Sequence, residues 1–367
     1  MTSIFSSCGL KAPVSVPNFR SSQRGHPLLR IMFESAPNGY FVRDLLVFHG
    51  LRKGCHVSKG FIIEPADLSA AAPEHPNAFQ DQLALLLACL HDKLRLQVQW
   101  FCDSDYRADL LRYNEKTECA TNVWTRRCRN ERFARYWEAM VDRRLRRQRL
   151  VLYFSRAIDT SPALIATASR QHAHYNALLE EMATEFAQLQ QLLANVFPGA
   201  RVTAMNDADH YRHCTSFLNP SLGSRFDYDT LETFEPELSI QENCWHSEAQ
   251  GLRDGSGFWM DGFYHSVLVL NRWPKVTHPG LVQRLTALPL LDYNITVNIE
   301  SLSSRVEINR EEKAHDRLAG DFASEKRLSL LTAMEKKQKK IAALMQGHTL
   351  PVSVEDILRS WNPPREG

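Results

Sequence analysis

The sequence predicts an α/β chain of the α+β kind: a mixed sheet flanked by long helices, with an extended charged helix near the C-terminus. Three observations carry this. Leu94–Cys102 (LRLQVQWFC) and Tyr293–Glu300 alternate polar and apolar residues, the period of a half-buried strand. Leu178, Met182, Phe186, Leu189, Leu192 and Leu193 recur at helical spacing and make one apolar stripe. With 367 residues, 44% hydrophobic and 23% charged, the chain has the composition of a folded protein and the length of roughly two domains.

The elements follow in order. Residues 1–35 mix Pro13, Pro17 and Pro27 with Ser, Asn and Arg, a composition that buries little surface and predicts a flexible leader. The apolar runs Tyr40–Phe48 and Val57–Ile63, with Gly50 and Gly54 between them, predict a β-hairpin. Pro73 and Pro76 then precede a helix in which Leu83, Leu86, Leu87 and Leu90 share a face. After the Leu94–Cys102 strand the pattern is helical over 106–148, then a short strand at Val151–Phe154. A long helix over 160–195 is stopped by Pro198–Gly199. A possible strand at Val202–Ala204 and a helix at Ala208–Leu218 come next, the latter ended by Asn219–Pro220. Phe263–Leu270, His278–Leu288 and Tyr293–Glu300 read as strand, helix, strand, and Ser304–Met345 as one charged helix. The expected division is therefore 1–35 leader, 36–217 mixed α/β region, 218–260 polar acidic linker, 261–302 strand-helix-strand completing the sheet, and 303–367 connecting helix and tail.

Charge and cysteine usage narrow the setting. Forty-four Lys and Arg against 42 Asp and Glu leave a net charge of +2, so global basicity argues for no nucleic-acid partner. The first thirty residues hold no apolar run of signal-peptide length, and the longest apolar stretch, near Leu83–Leu90, is far short of the ~20 residues that span a bilayer. Eight scattered cysteines without a C-x-x-C pair predict free thiols in a reducing compartment, hence a cytoplasmic location.

The chemistry of the common nucleotide and hydrolase motifs is missing. No Gly-Lys dipeptide occurs, so no P-loop lysine can follow a phosphate-cradling glycine, and neither G-x-S-x-G nor H-E-x-x-H is present. Gly251, Gly255 and Gly257 read as a turn. Asp207, Asp209, His210, His213 and Cys214 combine metal-ligand types, with His210 and His213 on one helix face; the alternative is a capped helix with Asp207 or Asp209 at its N-terminus. His172 and His174 could add to this set, although i,i+2 histidines on a helix do not share a face. The largest local charge is Arg126, Arg127, Arg129, Arg132, Arg135, Arg143, Arg144, Arg146, Arg147 and Arg149, opposed by Glu131, Glu138 and Asp142. Trp124, Phe133, Tyr136 and Trp137 interleave with it. This run predicts an interaction surface; a solvated helix and a single-stranded nucleic-acid track, where bases stack on aromatics, are the alternatives. Asp227, Asp229, Glu232, Glu235, Glu237, Glu242 and Glu248 follow without a Lys or Arg among them apart from Arg225 just before.

The segment Tyr264–Glu300 (YHSVLVLNRWPKVTHPGLVQRLTALPLLDYNITVNIE) resembles the N-terminal half of TraC/VirB-type ATPases of conjugative type IV secretion systems. In that family a strand ends in Trp-Pro, here Trp273–Pro274. A short helix, here Leu281–Leu288, then leads to a D-Y-x-I-x-V-x-I strand, here Asp292–Ile299, and a long charged helix follows. Val57–Pro65, Leu94–Asp105 and Ser216–Pro220 resemble further family elements. The resemblance implies a non-catalytic scaffold of conjugal transfer, with no bound cofactor, no catalytic residue and no metal of its own, cytoplasmic and peripheral at the inner membrane. Its implied partners are inner-membrane components of the secretion complex, a separate motor domain and a second copy of itself. Two other readings stand beside it: a soluble metal-dependent enzyme using the Asp207–Cys214 cluster, and a nucleic-acid-binding module using the arginine-rich helix.

Overall fold

A computed structural model describes residues 39–49, 55–64, 75–88, 90, 94–158, 168–197, 199–222, 235, 238–253, 255–269, 292–346 and 352–362. The leader, the Trp273–Pro274 turn and the expected helix at Leu281–Leu288 lie outside the described residues. The chain is α+β, with one large sheet flanked by helices. Among the described residues no helix is long and apolar enough to cross a membrane.

The sheet begins with β1 (Gly39–Val42) and β2 (Leu45–His49), joined through Arg43 and Asp44 at φ +51° and +63°. Two consecutive left-handed residues give the turn whose twist matches a two-residue hairpin. The expected strand over 40–48 is therefore folded in two, and β2 pairs with β3 (Cys55–Glu64) as the predicted second arm. Strands β4 (Leu94–Asp103), β5 (Arg147–Ile158), β6 (Arg201–Ala204), β7 (Ala249–Gly251), β8 (Phe258–Met260), β9 (Phe263–Val269), β10 (Asp292–Ser301) and β11 (Val352–Asn362) complete it. The order is β1-β2-β3-β5-β4-β10-β11-β9-β8-β7, with β6 on β3, and every pairing is antiparallel.

One face of β3, β5 and β4 presents Val57, Phe61, Ile63, Leu94, Leu96, Leu152 and Phe154, all buried. Helices α1 (His75–Ala88) and α4 (Ala168–Val196) cover it. On α4 the residues Leu179, Met182, Phe186, Leu189, Leu193 and Val196 are spaced by three and four and are buried; Met182, Phe186, Leu189 and Leu193 belong to the predicted stripe, whereas Leu178 and Leu192 are half-buried at its edge. On the opposite face Leu46, Val151 and Tyr153 meet Tyr211 of α5 (Asp207–Leu218) and Cys244 of α6 (Ile240–Cys244). Farther along that face the sheet turns polar, with Gln97 and Gln99 beside Thr296 and Asn298.

Two helical hairpins interrupt this sheet. Between β4 and β5 stand α2 (Arg107–Glu118) and α3 (Val123–Val141), so the helical region expected over 106–148 is two helices with its last residues already in β5. Between β10 and β11 stand α7 (Ser304–Glu325) and α8 (Leu328–Met345). The expected single helix over 304–345 is broken at Lys326, which takes the left-handed conformation (φ +50°) that ends a helix. Nor is 303–367 a tail. Residues 352–362 return as β11 between β10 and β9. Because Asp103 pairs with Arg147 at one end of β4 while Glu300 pairs with Arg95 near the other, the two hairpins project from opposite ends of the central strands. Part of the expected linker is sheet as well, since β7 and β8 build its edge around the turn that holds Gly255 at φ +72°.

Candidate interaction surface

The α2–α3 hairpin starts from local chemistry. Asn122 caps α3, accepting from the Trp124 and Thr125 N–H groups at 2.9 and 3.2 Å, which satisfies two donors the helix cannot. Phe133 and Trp137, with ring centroids 5.5 Å apart, are half-buried, and Met140 on the same side is buried. The outward side keeps Val123 and Trp124 77% and 72% exposed, and Tyr136 and Val141 are exposed beside it.

The ten arginines do not form one track. Arg126 and Arg129 donate to the Ala120 and Lys116 carbonyls, closing the helix-helix corner at 2.8 and 3.2 Å. Arg127 pairs with Glu131 at 3.3 Å and lies 6.0 Å from the Trp124 ring centre, and Arg144 pairs with Asp142 at 2.9 Å. Arg147 and Arg149 turn inward at the base. Arg147 reaches Asp103 at 3.2 Å and Asp109 at 3.5 Å and covers the Tyr106 ring; Arg149 reaches Asp103 at 3.7 Å and covers Phe101. Arg132, Arg135 and Arg146 are exposed and have no carboxylate partner among the described residues. The usable surface is thus Arg132 and Arg135 on the same helix as Trp124, Val123 and Tyr136, smaller than the run in the sequence, while Arg146 lies at the sheet end of the hairpin near Cys102 and Tyr293.

The inward pairs matter to the carboxylates they meet. Burial pushes the Asp103 carboxyl up despite Arg147 and Arg149. Burial likewise raises Asp292, which accepts from the Ser104 N–H at 2.7 Å. Asp105 is half-buried, which alone would raise it, yet its side-chain and backbone hydrogen bonds from Arg107 outweigh that and hold it below the usual carboxylate range. Asp103, Asp105 and Asp292 carry no periodic signal, and only the sheet order brings Asp292 beside β4.

The metal alternative meets residues already occupied. Asp207 and Asp44 exchange hydrogen bonds, each backbone N–H donating to the other's carboxylate at 2.9 and 3.0 Å, which ties the start of α5 to the β1–β2 turn. Asp209 forms a capping box with Asn206. His210 Nδ1 lies 3.2 Å from the Tyr153 hydroxyl, and His213 Nε2 lies 2.6 Å from Gln99 Oε1. Burial lowers both rings to about 3, with Lys59 adding for His210 and Arg149 for His213. The Cys214 thiol is raised by burial among apolar neighbours. Among the described residues no three His, Cys, Asp or Glu side chains could hold a metal ion. His172 and His174 lie on α4, and their side chains are outside the described residues, as is most of the acidic stretch apart from Glu235, Glu242 and Glu248. Cys102, Cys119, Cys128, Cys214 and Cys244 are free thiols.

No protein-family model and no curated protein matches this chain.

Proposed function

We propose that the chain is a docking scaffold of a conjugal-transfer (type IV secretion) apparatus, cytoplasmic and peripheral at the inner membrane, acting through contacts and not through catalysis. The observation that supports a docking role is the α2–α3 hairpin, which holds Trp124 and Val123 in solvent on the same helix as Arg132 and Arg135, exposed and without a carboxylate partner among the described residues. Large exposed aromatics next to free arginines are the residue types that dominate binding energy at protein interfaces. The assignment to conjugal transfer rests on the sequence likeness of Tyr264–Glu300 alone.

The test is co-purification of the full chain with the inner-membrane proteins encoded beside it, comparing wild type with the triple variant Trp124→Ala, Arg132→Glu, Arg135→Glu. Retained folding with lost co-purification is expected. Unchanged capture would remove the hairpin from the interface, and absence of any such neighbouring genes would remove the secretion reading. The stacking of Arg127 on Trp124 also favours, as a second reading, single-stranded nucleic acid on the same face. That reading requires binding that weakens steeply with salt.

A further inference from the structure

Where the α2–α3 hairpin meets the sheet, a cavity of about 320 Å³ opens. Its apolar wall includes Phe101, Phe217 and Phe263, the first two in edge contact with centroids 6.0 Å apart. Its charged wall holds three aspartates, Asp103, Asp105 and Asp292, and three arginines, Arg107, Arg143 and Arg149.

Five of these six charges are satisfied. Asp105 takes both Nε and Nη2 of Arg107 at 3.0 and 2.8 Å. Asp103 is shared by Arg147 and Arg149, and Asp292 accepts from Ser104. Arg143 differs in having no carboxylate partner among the described residues. Its Nη1, like the Nε of Arg149, is shielded from solvent and has no hydrogen-bond partner among them, but Arg149 still pairs with Asp103 through its Nη2. Asp292 senses its charge but stays beyond ion-pair distance. The residue also occupies the position after the Asp142 cap of α3, with φ +55° and its N–H donating to the Met140 carbonyl at 2.8 Å. Glycine is the residue that position favours. A bulky cation held there in a left-handed conformation, with a buried donor left over, is the kind of backbone and polar cost that marks a binding function.

We propose that this cavity binds a carboxylate carried on an aromatic or similarly bulky apolar body, the carboxylate accepting from Arg143 and the body lying against the phenylalanines. Balanced fixed charges accommodate one added negative charge. Three aspartates already line the wall, so a phosphate dianion meets more repulsion there than a monoanion, and a monoanion is favoured. The volume suits a ligand about the size of an arylalkanoate. Such a group comes either as a free acid or as the C-terminal residue of another chain, and the chemistry at Arg143 is the same. The site stands apart from whatever the outer face of the hairpin docks.

The experiment is isothermal titration calorimetry on the full chain at neutral pH. The probes are 3-phenylpropionate, its amide, phenyl phosphate, and a pentapeptide ending in phenylalanine with a free or an amidated terminus. Saturable binding of the acid or the free-terminus peptide is expected, with each amide about tenfold weaker or more, the loss of one charge-assisted bond. Arg143→Gln should lose about tenfold, and Arg143→Gly should lose binding while keeping or raising the melting temperature, because glycine relieves the left-handed backbone. Tighter binding of the peptide than of the free acid assigns the site to a chain terminus; the reverse assigns it to a free acid. Absence of binding by both carboxylates at ~10 mM, amides binding equally, phenyl phosphate binding more tightly than the acid, or unchanged binding in both Arg143 variants would overturn the proposal.

Discussion

His213 Nε2 lies 2.6 Å from Gln99 Oε1, and this contact starts a relay across the polar face of the sheet. Gln99 donates to Gln97 at 2.7 Å and Gln97 donates to Asn298 at 2.8 Å, so each amide uses its oxygen as acceptor and its nitrogen as donor. A consistent direction requires His213 Nε2 to carry the proton. The relay therefore fixes the tautomer of a neutral ring and joins α5, β4 and β10.

That neutrality makes stability depend on pH. His210 and His213 are both lowered to about 3 by burial, against 6.5 in the unfolded chain. Between these values the unfolded state binds the extra protons, so stability is full above about pH 6.5 and falls as pH drops towards 3. The slope approaches roughly 1.4 kcal/mol per pH unit for each ring. Urea midpoints should fall steeply from pH 6.5 to 5, and His213→Gln should flatten the profile while retaining a donor to Gln99. A midpoint constant from pH 7 to 4.5 would show that the rings titrate normally.

The α7–α8 hairpin depends on an ion network. Glu311 is 5% exposed and Glu307 8%, yet the lysines that meet them, Lys337 and Lys340, are partly in water. Lys340 bridges the two carboxylates at 3.1 and 2.5 Å, and the hydrogen bonds from Lys337 and Lys340 hold the Glu311 carboxyl below the usual carboxylate range. Replacing both lysines by methionine strands two sheltered carboxylates, a loss of about 1–3 kcal/mol confined to the hairpin, less than for a fully buried pair because the lysines are half solvated. Hydrogen exchange should accelerate over 304–345 and stay unchanged in β4 and β5. Unchanged protection in the hairpin would mean that its apolar contacts suffice.

Gly257 and Gly255 separate two reasons for glycine. A Cβ on Gly257 would stand 2.2 Å from the His265 carbonyl oxygen, a backbone atom held by the Phe258–His265 pair, whereas a Cβ on Gly255 meets nothing but requires φ +72°. Gly257→Ala should therefore cost about 1–3 kcal/mol through overpacking, and Gly255→Ala about 1 kcal/mol through backbone strain. Thermal melts of the two variants order them, and a larger effect at Gly255 would contradict the close approach.

What the sequence made legible was what short periods can encode. The α4 stripe, the alternation through Ile295, Val297 and Ile299, and the helix Asp207–Leu218 all appear in place, because each depends on neighbours within a few residues. The breaks were not legible: Lys326 takes a left-handed conformation without being glycine, and Arg143 does the same at the end of α3. The acids and arginine of the cavity were hidden for another reason. Asp103 and Asp292 are far apart in sequence and meet only because β10 crosses to lie beside β4. Val352–Asn362 escaped as a strand because Glu355, Asp356 and Arg359 interrupt its alternation, although the pairs Ile357–Val269 and Thr296–Ile357 place it inside the sheet.

The position of β11 reverses the simplest truncation experiment. If 303–367 were a connecting arm, ending the chain at Ser303 would leave the rest intact. Instead that cut removes the strand between β10 and β9, which bares the hydrogen-bonding edge of β10 and separates β9, β8 and β7 from the strand that joins them to the sheet. The truncated chain should lose its cooperative melt or melt more than ~10 °C lower. Excision behaves differently. Ser301 and Val352 are a cross-strand pair at the end of the β10–β11 ladder, so joining them through Asn-Gly closes a two-residue hairpin and deletes both helices without removing a strand. Among its apolar residues only Leu344 is fully buried, so the hairpin contributes little to the core, and its excision should shift the melting temperature by less than ~5 °C. Circular dichroism melts of the two deletions, read side by side, decide the matter. A truncation that melts like the intact chain would show that β11 is dispensable, whereas an excision that collapses would show that the helices support the sheet.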